Sequence, residues 1–205
     1  MHLLRINLIN VRRMDKQVPR EWRRYEYFNP KIVLPKLRKI REEISITNTP
    51  DKIKALRTNK LKRERESWDA AIFCQLLSLT LKKDILFSRE EHSDFDSIFT
   101  WNDGEVQSFA PIQLKELVPA YANPNANLQN IINSLSKYSG SDDLIVGIKI
   151  NRRERIEFSD IDTDGLKIRE LWMFGATTES QSHWSLLGEV MSGKVHQYEY
   201  ELPYI

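Results

Sequence analysis

The sequence predicts an α/β fold, a mixed central sheet flanked by helices. Three observations carry that expectation. Trp68, Ile72, Leu76 and Leu79 recur at helical spacing just before a series of strand-like segments. A second helical stripe, Leu128, Ile131, Ile132, Leu135 and Tyr138, interrupts that series. The run Leu144-Ile145-Val146-Gly147-Ile148-Lys149-Ile150 then reads as a strand buried on both faces. Strands joined by helices in this order build a mixed sheet with helices on its faces.

Each element has its own signal. Leu34, Leu37, Ile40 and Ile44 predict a short amphipathic helix from Pro35 to about Ile44. Thr49 before Pro50 reads as a helix start, a hydroxyl cap followed by proline at the first helical position. That helix is expected to reach about Leu81. Its first half is basic and solvated, and its second half carries the apolar stripe. Ile85-Leu86-Phe87 reads as a short strand or connector. Asp96 to Trp101 is a strand, Asn102-Asp103-Gly104 a tight turn, and Val106 to Leu117 holds the next strand. Asn123-Pro124 is expected to start the following helix and Gly140 to end it. Ile168 to Phe174, Trp184 to Met191 and Val195 to Leu202 are the remaining strand candidates.

The 205 residues suit one medium domain, or a domain with an appendage. We divide them into a basic helical amino-terminal arm, 1–48, and an α/β domain, 49–205. The apolar fraction of 40% is enough for a core. No run approaches the ~20 apolar residues of a membrane span. The polar start Met1-His2-Leu3-Leu4-Arg5-Ile6-Asn7 does not read as a secretory signal. The expected location is therefore cytoplasmic, with no membrane partner. Cys74 is the single cysteine, which rules out an internal disulfide and a multi-cysteine zinc site.

The net charge of +2 hides a division. Residues 1–65 carry 19 Lys/Arg against 7 Asp/Glu, a net +12. Residues 66–205 carry 12 against 22, a net −10. Such asymmetry points to a polyanion partner for the basic part, or to two halves that neutralise each other in one fold. Lys60, Lys62, Arg63 and Arg65, with Arg152 and Arg153 after the buried strand, are the candidate phosphate contacts. Trp22, Tyr25 and Phe28 stand among arginines, suited to stacking on bases or to packing on the domain.

The chemistry-bearing stretch is Ser93-Asp94-Phe95-Asp96-Ser97-Ile98-Phe99 followed by Phe109-Ala110-Pro111-Ile112-Gln113-Leu114-Lys115-Glu116. Residues i and i+2 of a strand share a face, so Gln113 and Lys115 point one way and Ile112 and Leu114 the other. If the two strands pair, Asp96 lies near both. Asp96 is preferred to Asp94 because Ile98-Phe99 follows it at strand spacing. A carboxylate, an amide oxygen and an ammonium in one pocket suit a divalent cation and a phosphate.

With the helix–strand–strand–helix–strand order, these residues resemble the restriction-endonuclease-like superfamily, the PD-(D/E)xK nucleases. The resemblance covers roughly residues 62–150. It implies a restriction-endonuclease-like core, with Asp96 as metal-binding aspartate, Gln113 at the Glu/Gln position and Lys115 as the lysine. Glu66 or Asp69 on the first helix would be the extra carboxylate, and the Leu114 carbonyl would complete the ligands. Phe95 stands where proline is common, and Gln113 makes one ligand neutral. The implied activity is a divalent-metal-dependent nuclease hydrolysing phosphodiester bonds, most directly in DNA, with Mg²⁺ or Mn²⁺ as cofactor. Mg²⁺ takes oxygen ligands and can activate water while neutralising phosphate charge. Lys115 would orient or deprotonate the water. Many such nucleases act as homodimers. The neutral Gln113 favours an alternative, a catalytically inactive module that binds nucleic acid or protein on the same fold.

Two further patterns are read as structural. Asp160-x-Asp162-x-Asp164-Gly165 opens like a calcium loop, but its twelfth position is Leu171, so an acidic hairpin loop is expected. His2, His92, His183 and His196 have no zinc spacing.

Overall fold

The computed structural model describes residues 18–46, 62–90, 92, 94–138 and 141–202. The expected helix start at Thr49-Pro50, the expected end at Gly140, and Lys60 lie outside the described residues.

Among the described residues, eight strands form one sheet in which sequence neighbours are also spatial neighbours. Strands β1 (Tyr27–Phe28), β2 (Leu86–Ser88), β3 (Ser97–Asp103) and β4 (Val106–Leu117) make an antiparallel meander. Strand β5 (Ser141–Ile150) runs parallel to β4, and β6 (Ile168–Ala176) runs parallel to β5. Strands β7 (His183–Gly188) and β8 (His196–Glu201) return antiparallel. The fold is α/β and the sheet is mixed, as the sequence predicts.

Local chemistry explains the boundaries. The β3–β4 hairpin turns on Gly104-Glu105, with Asp103 opposite Val106 and Gly104 at φ 63°. A two-residue hairpin loop favours glycine at such a position. Pro111 sits in β4 one residue before its pairing with β5 begins at Ile112, where a missing N–H costs little. β5 is central, with partners on both edges and buried residues from Leu144 to Lys149. The segment 151–167 joins two parallel strands, so it is a crossover and not the acidic hairpin loop expected.

The described helices are α1 (Pro30–Ile46), α2 (Lys62–Leu81) and the short α3 (Leu128–Asn133). α1 begins before the expected Pro35 because Asn29 caps it. The Asn29 side chain accepts from Lys31 N at 2.9 Å, and its carbonyl accepts from Val33 N at 3.1 Å. Pro30 then takes the first helical position. α3 begins after the expected Asn123-Pro124. Its cap is Asn127, whose side chain accepts from Asn130 N at 3.2 Å. A 3₁₀ turn, Ser134–Tyr138, continues it.

Two cores lie on opposite faces of the sheet. On one, Trp68, Ile72, Phe73 and Leu76 of α2 pack on Phe87, Phe99, Ile112, Ile145, Trp172 and Phe174. The expected apolar stripe understates this helix. Every residue from Ser67 to Ser78 is buried, because α1 also contributes Leu34 to that cluster. On the other face, Leu128, Ile132, Leu135 and Tyr138 pack on Ile98, Leu117, Val146, Ile148 and Met173. The described part of the expected arm is not an appendage. β1 extends the sheet, and Trp22, Tyr25 and Tyr27 pack against the second core.

Candidate functional site

Asp96 stands immediately before β3, and its backbone N donates to the Ile112 carbonyl at 2.8 Å. That bond fixes Asp96 opposite Gln113. The Asp96 carboxylate oxygen Oδ2 accepts from Leu114 N at 2.6 Å and from the Gln113 side-chain Nε2. The same Nε2 lies 3.3 Å from the Leu114 carbonyl oxygen. Two acceptor oxygens thus converge on one point, occupied by an amide nitrogen. An amide oxygen could not sit there without a donor or a cation between them. The expected ligand groups Asp96, Gln113 and Leu114 are therefore brought together.

Gln113 is 4% exposed, and its other end is also engaged. The Tyr138 hydroxyl donates to Gln113 Oε1 at 2.8 Å. Lys115, on the same face as Gln113, has its Nζ 5.7 Å from the Tyr138 ring centroid. Lys137 Nζ lies 4.9 Å from the same ring. Both separations are in the cation–π range. Tyr138 is thus the hub around which Gln113 and Lys115 gather. Sequence reasoning placed it only on a buried helix face. A tyrosine closing an otherwise aliphatic stripe, with a hydroxyl that needs a partner once buried, was the available signal.

Asp69 does not join this cluster. Sheet register puts Gln113 and Lys115 on the α3 face, while α2 covers the other. Asp69 is buried there against Lys149, Oδ1 to Nζ at 2.6 Å. Lys149 pairs in register with Glu116, whose side chain accepts from Asn151 Nδ2 at 2.7 Å. Glu66 lies on the same helix, one residue from Ser67, which accepts from Arg89 Nε at 2.9 Å. Arg41 completes this second polar group, stacked 4.4 Å over the Trp68 ring. Burial lowers the Arg41 pKa, and Asp69 opposes that shift.

The expected phosphate contacts divide. Arg152 is not available for one. Its guanidinium donates to the carbonyls of Val118 at 2.8 Å, Ala126 at 3.1 Å and Asn123 at 2.7 Å, and so clamps the loop after β4. Arg153 is exposed and pairs with Glu179 at 3.2 Å. Arg63 is exposed and Arg65 half-buried on the first turn of α2, where Lys62 is the opening residue. The arm aromatics pack on the domain: Trp22 meets Phe95 edge-on at 5.8 Å, and Phe28 meets Phe87 at 6.0 Å.

Among the described residues, no three His, Cys, Asp or Glu side chains cluster to hold a metal ion. A cation at Asp96 would rely on amide and carbonyl oxygens, an all-oxygen set that fits Mg²⁺ or Mn²⁺. Among the described residues, no helix is long and apolar enough to cross a membrane. No protein-family model, curated protein or solved structure matches this chain.

Proposed function

We propose that this chain is a divalent-metal-dependent nuclease of restriction-endonuclease-like architecture that hydrolyses phosphodiester bonds, with DNA as the substrate to test first. The observation that carries the reading is the convergence of the Asp96 carboxylate, the Gln113 amide and the Leu114 carbonyl on one point, with Lys115 on the same face. The element order supports it. α2, the paired strands β3 and β4, α3 and the parallel β5 follow the helix–strand–strand–helix–strand order of the resemblance, with β2 added before β3.

Bound Mg²⁺ or Mn²⁺ would supply the charge that acidifies water and neutralises phosphate. The residues do the rest. Asp96 and the Leu114 carbonyl offer oxygen atoms, and Gln113 offers another once its amide is turned. Lys115 would hold the phosphate and orient the attacking water. Asp69 is left out of the centre, since it is committed to Lys149 across the sheet, and Glu66 remains the candidate for the extra carboxylate.

The test is cleavage of plasmid and single-stranded DNA with Mg²⁺ or Mn²⁺. Asp96→Ala and Lys115→Ala should each abolish cleavage while the chain stays folded. Cleavage indifferent to both substitutions ends the proposal. A second reading has its own observation: the Gln113 amide presents N–H to Asp96, not a free lone pair. A binding module without catalysis would retain DNA in a mobility-shift assay and cut it with neither cation.

A further inference from the structure

We propose that Tyr138 is a positioning residue that latches the cation site shut by fixing which way the Gln113 amide faces; this rests on the reading of Asp96, Gln113 and Leu114 as cation ligands. The latch follows from the hydrogen bonds at the two ends of one buried amide. In the present orientation Nε2 faces Asp96 Oδ2 and the Leu114 carbonyl, and Oε1 accepts from the Tyr138 hydroxyl at 2.8 Å. That arrangement fills the cation position with N–H groups.

For a cation to bind, the amide must rotate by half a turn. Oε1 would then join Asp96 and Leu114 O, and Nε2 would face the Tyr138 oxygen. A tyrosine hydroxyl can donate or accept, so it has a bond in both orientations. The two bonds are unequal. A phenol oxygen shares its lone pair with the ring, so phenol is a strong donor and a poor acceptor. Two ammonium groups, Lys115 and Lys137, lie 5.7 and 4.9 Å from the ring centroid and draw electron density the same way. The hydroxyl therefore favours the orientation in which it donates, the shut one. Both partners are buried, Tyr138 at 8% and Gln113 at 4% exposure, so water does not level the difference.

The experiment is calorimetric titration of the full chain with Mg²⁺, without nucleic acid, in four proteins. Removing the hydroxyl by Tyr138→Phe should tighten cation binding by about 2–5-fold, a part of one net hydrogen bond, because only the difference between its two bonds is lost. In the Gln113→Glu background the tightening should vanish, because a carboxylate accepts from the hydroxyl in either state. Weaker or unchanged binding in Tyr138→Phe overturns the latch. So does equal tightening in both backgrounds, which a general loosening of the fold would give. The wild-type chain gives an independent readout by side-chain NMR. Saturating Mg²⁺ should bring the Gln113 amide protons within NOE range of the Tyr138 ring, and their staying beside Leu114 overturns the proposal. Cation binding without DNA cleavage would sink the nuclease reading and leave the latch standing. No binding in any of the four proteins sinks both.

Discussion

At the scale of residues, the chain keeps two polar groups on opposite faces of one sheet, and they differ in what a substitution should do. The Asp69–Lys149 pair is about nine-tenths buried on both sides. Breaking such a pair strands a charge in a low-dielectric interior and costs about 3–5 kcal/mol. Lys149→Met should therefore lower stability by that order in urea unfolding. The double change Asp69→Leu with Lys149→Met should recover most of it. Neither should alter Mg²⁺ affinity if the cation site is across the sheet, and a large loss of affinity in the folded double variant would return Asp69 to the centre. Cys74 offers a simpler check. It is fully buried, its Sγ donates to the Ile85 carbonyl at 3.4 Å, and burial pushes its thiol up. Thiolate is the reactive form, so Ellman's reagent should label Cys74 at pH 8 only at the rate of unfolding. Prompt labelling in buffer would refute the packing of α2 on the sheet.

At the scale of elements, the hairpin that carries the site is pinned at its far end. Lys83 follows α2 and donates to Asp103 at the end of β3, and Trp101 Nε1 donates to the same carboxylate at 3.0 Å. The Lys83 bond holds the Asp103 carboxyl below its usual range, with burial opposing and Trp101 helping. A depressed carboxyl contributes stability above its unfolded value, about 3.9, and loses it as pH falls through the lower folded value. Urea midpoints of the native chain should thus fall more steeply below pH 4 than those of Lys83→Met. Parallel curves would show that this pair does not anchor the hairpin. Packing under the site is equally specific. A Cβ on Gly147 of β5 would lie 2.9 Å from Phe73 Cε1, so Gly147→Val should destabilise the chain by about 1–3 kcal/mol in the same assay. The long strands β3 to β6 were legible because alternation and continuous apolar runs survive in any tertiary context. The Asp96–Gln113 pairing was legible because strand geometry fixes which side chains share a face. Other features depend on contacts that no local pattern encodes. β1 is a two-residue strand. The starts of α1 and α3 turn on which asparagine wins the cap. Which face α2 covers, and hence the exclusion of Asp69, follows only from the crossovers. Arg152 read as a phosphate contact because nothing in sequence shows three carbonyls waiting for its guanidinium.

At the scale of the whole molecule, the division of charge along the chain invites a picture of a basic arm beside an acidic domain, and the architecture argues otherwise for residues 18–46. β1 covers the outer edge of β2, and that edge would otherwise present unpaired backbone groups. Leu34 of α1 is 1% exposed within the α2 core, and Arg41 reaches across to Gln181 Oε1 at 3.1 Å before β7. On the other face Trp22 and Tyr27 rest on Phe95 and Phe109, and the Tyr27 hydroxyl donates to the Trp22 carbonyl at 2.6 Å. Phe95 adjoins Asp96, so the turn carrying the exposed Arg23 and Arg24 is seated next to the candidate site. Removing residues 1–46 should therefore do more than weaken binding to a polyanion. It opens a sheet edge, uncovers one side of α2 and strips aromatic cover from beside Asp96. The shortened chain should lose its cooperative urea transition or shift it to markedly lower denaturant, read by far-ultraviolet circular dichroism. Replacing only Arg23 and Arg24 by Gln should leave that transition within error and flatten the salt dependence of DNA binding, since fewer phosphate contacts release fewer counterions. A truncated chain that unfolds at the native midpoint would restore the picture of a separable arm and remove the physical basis for coupling it to the site.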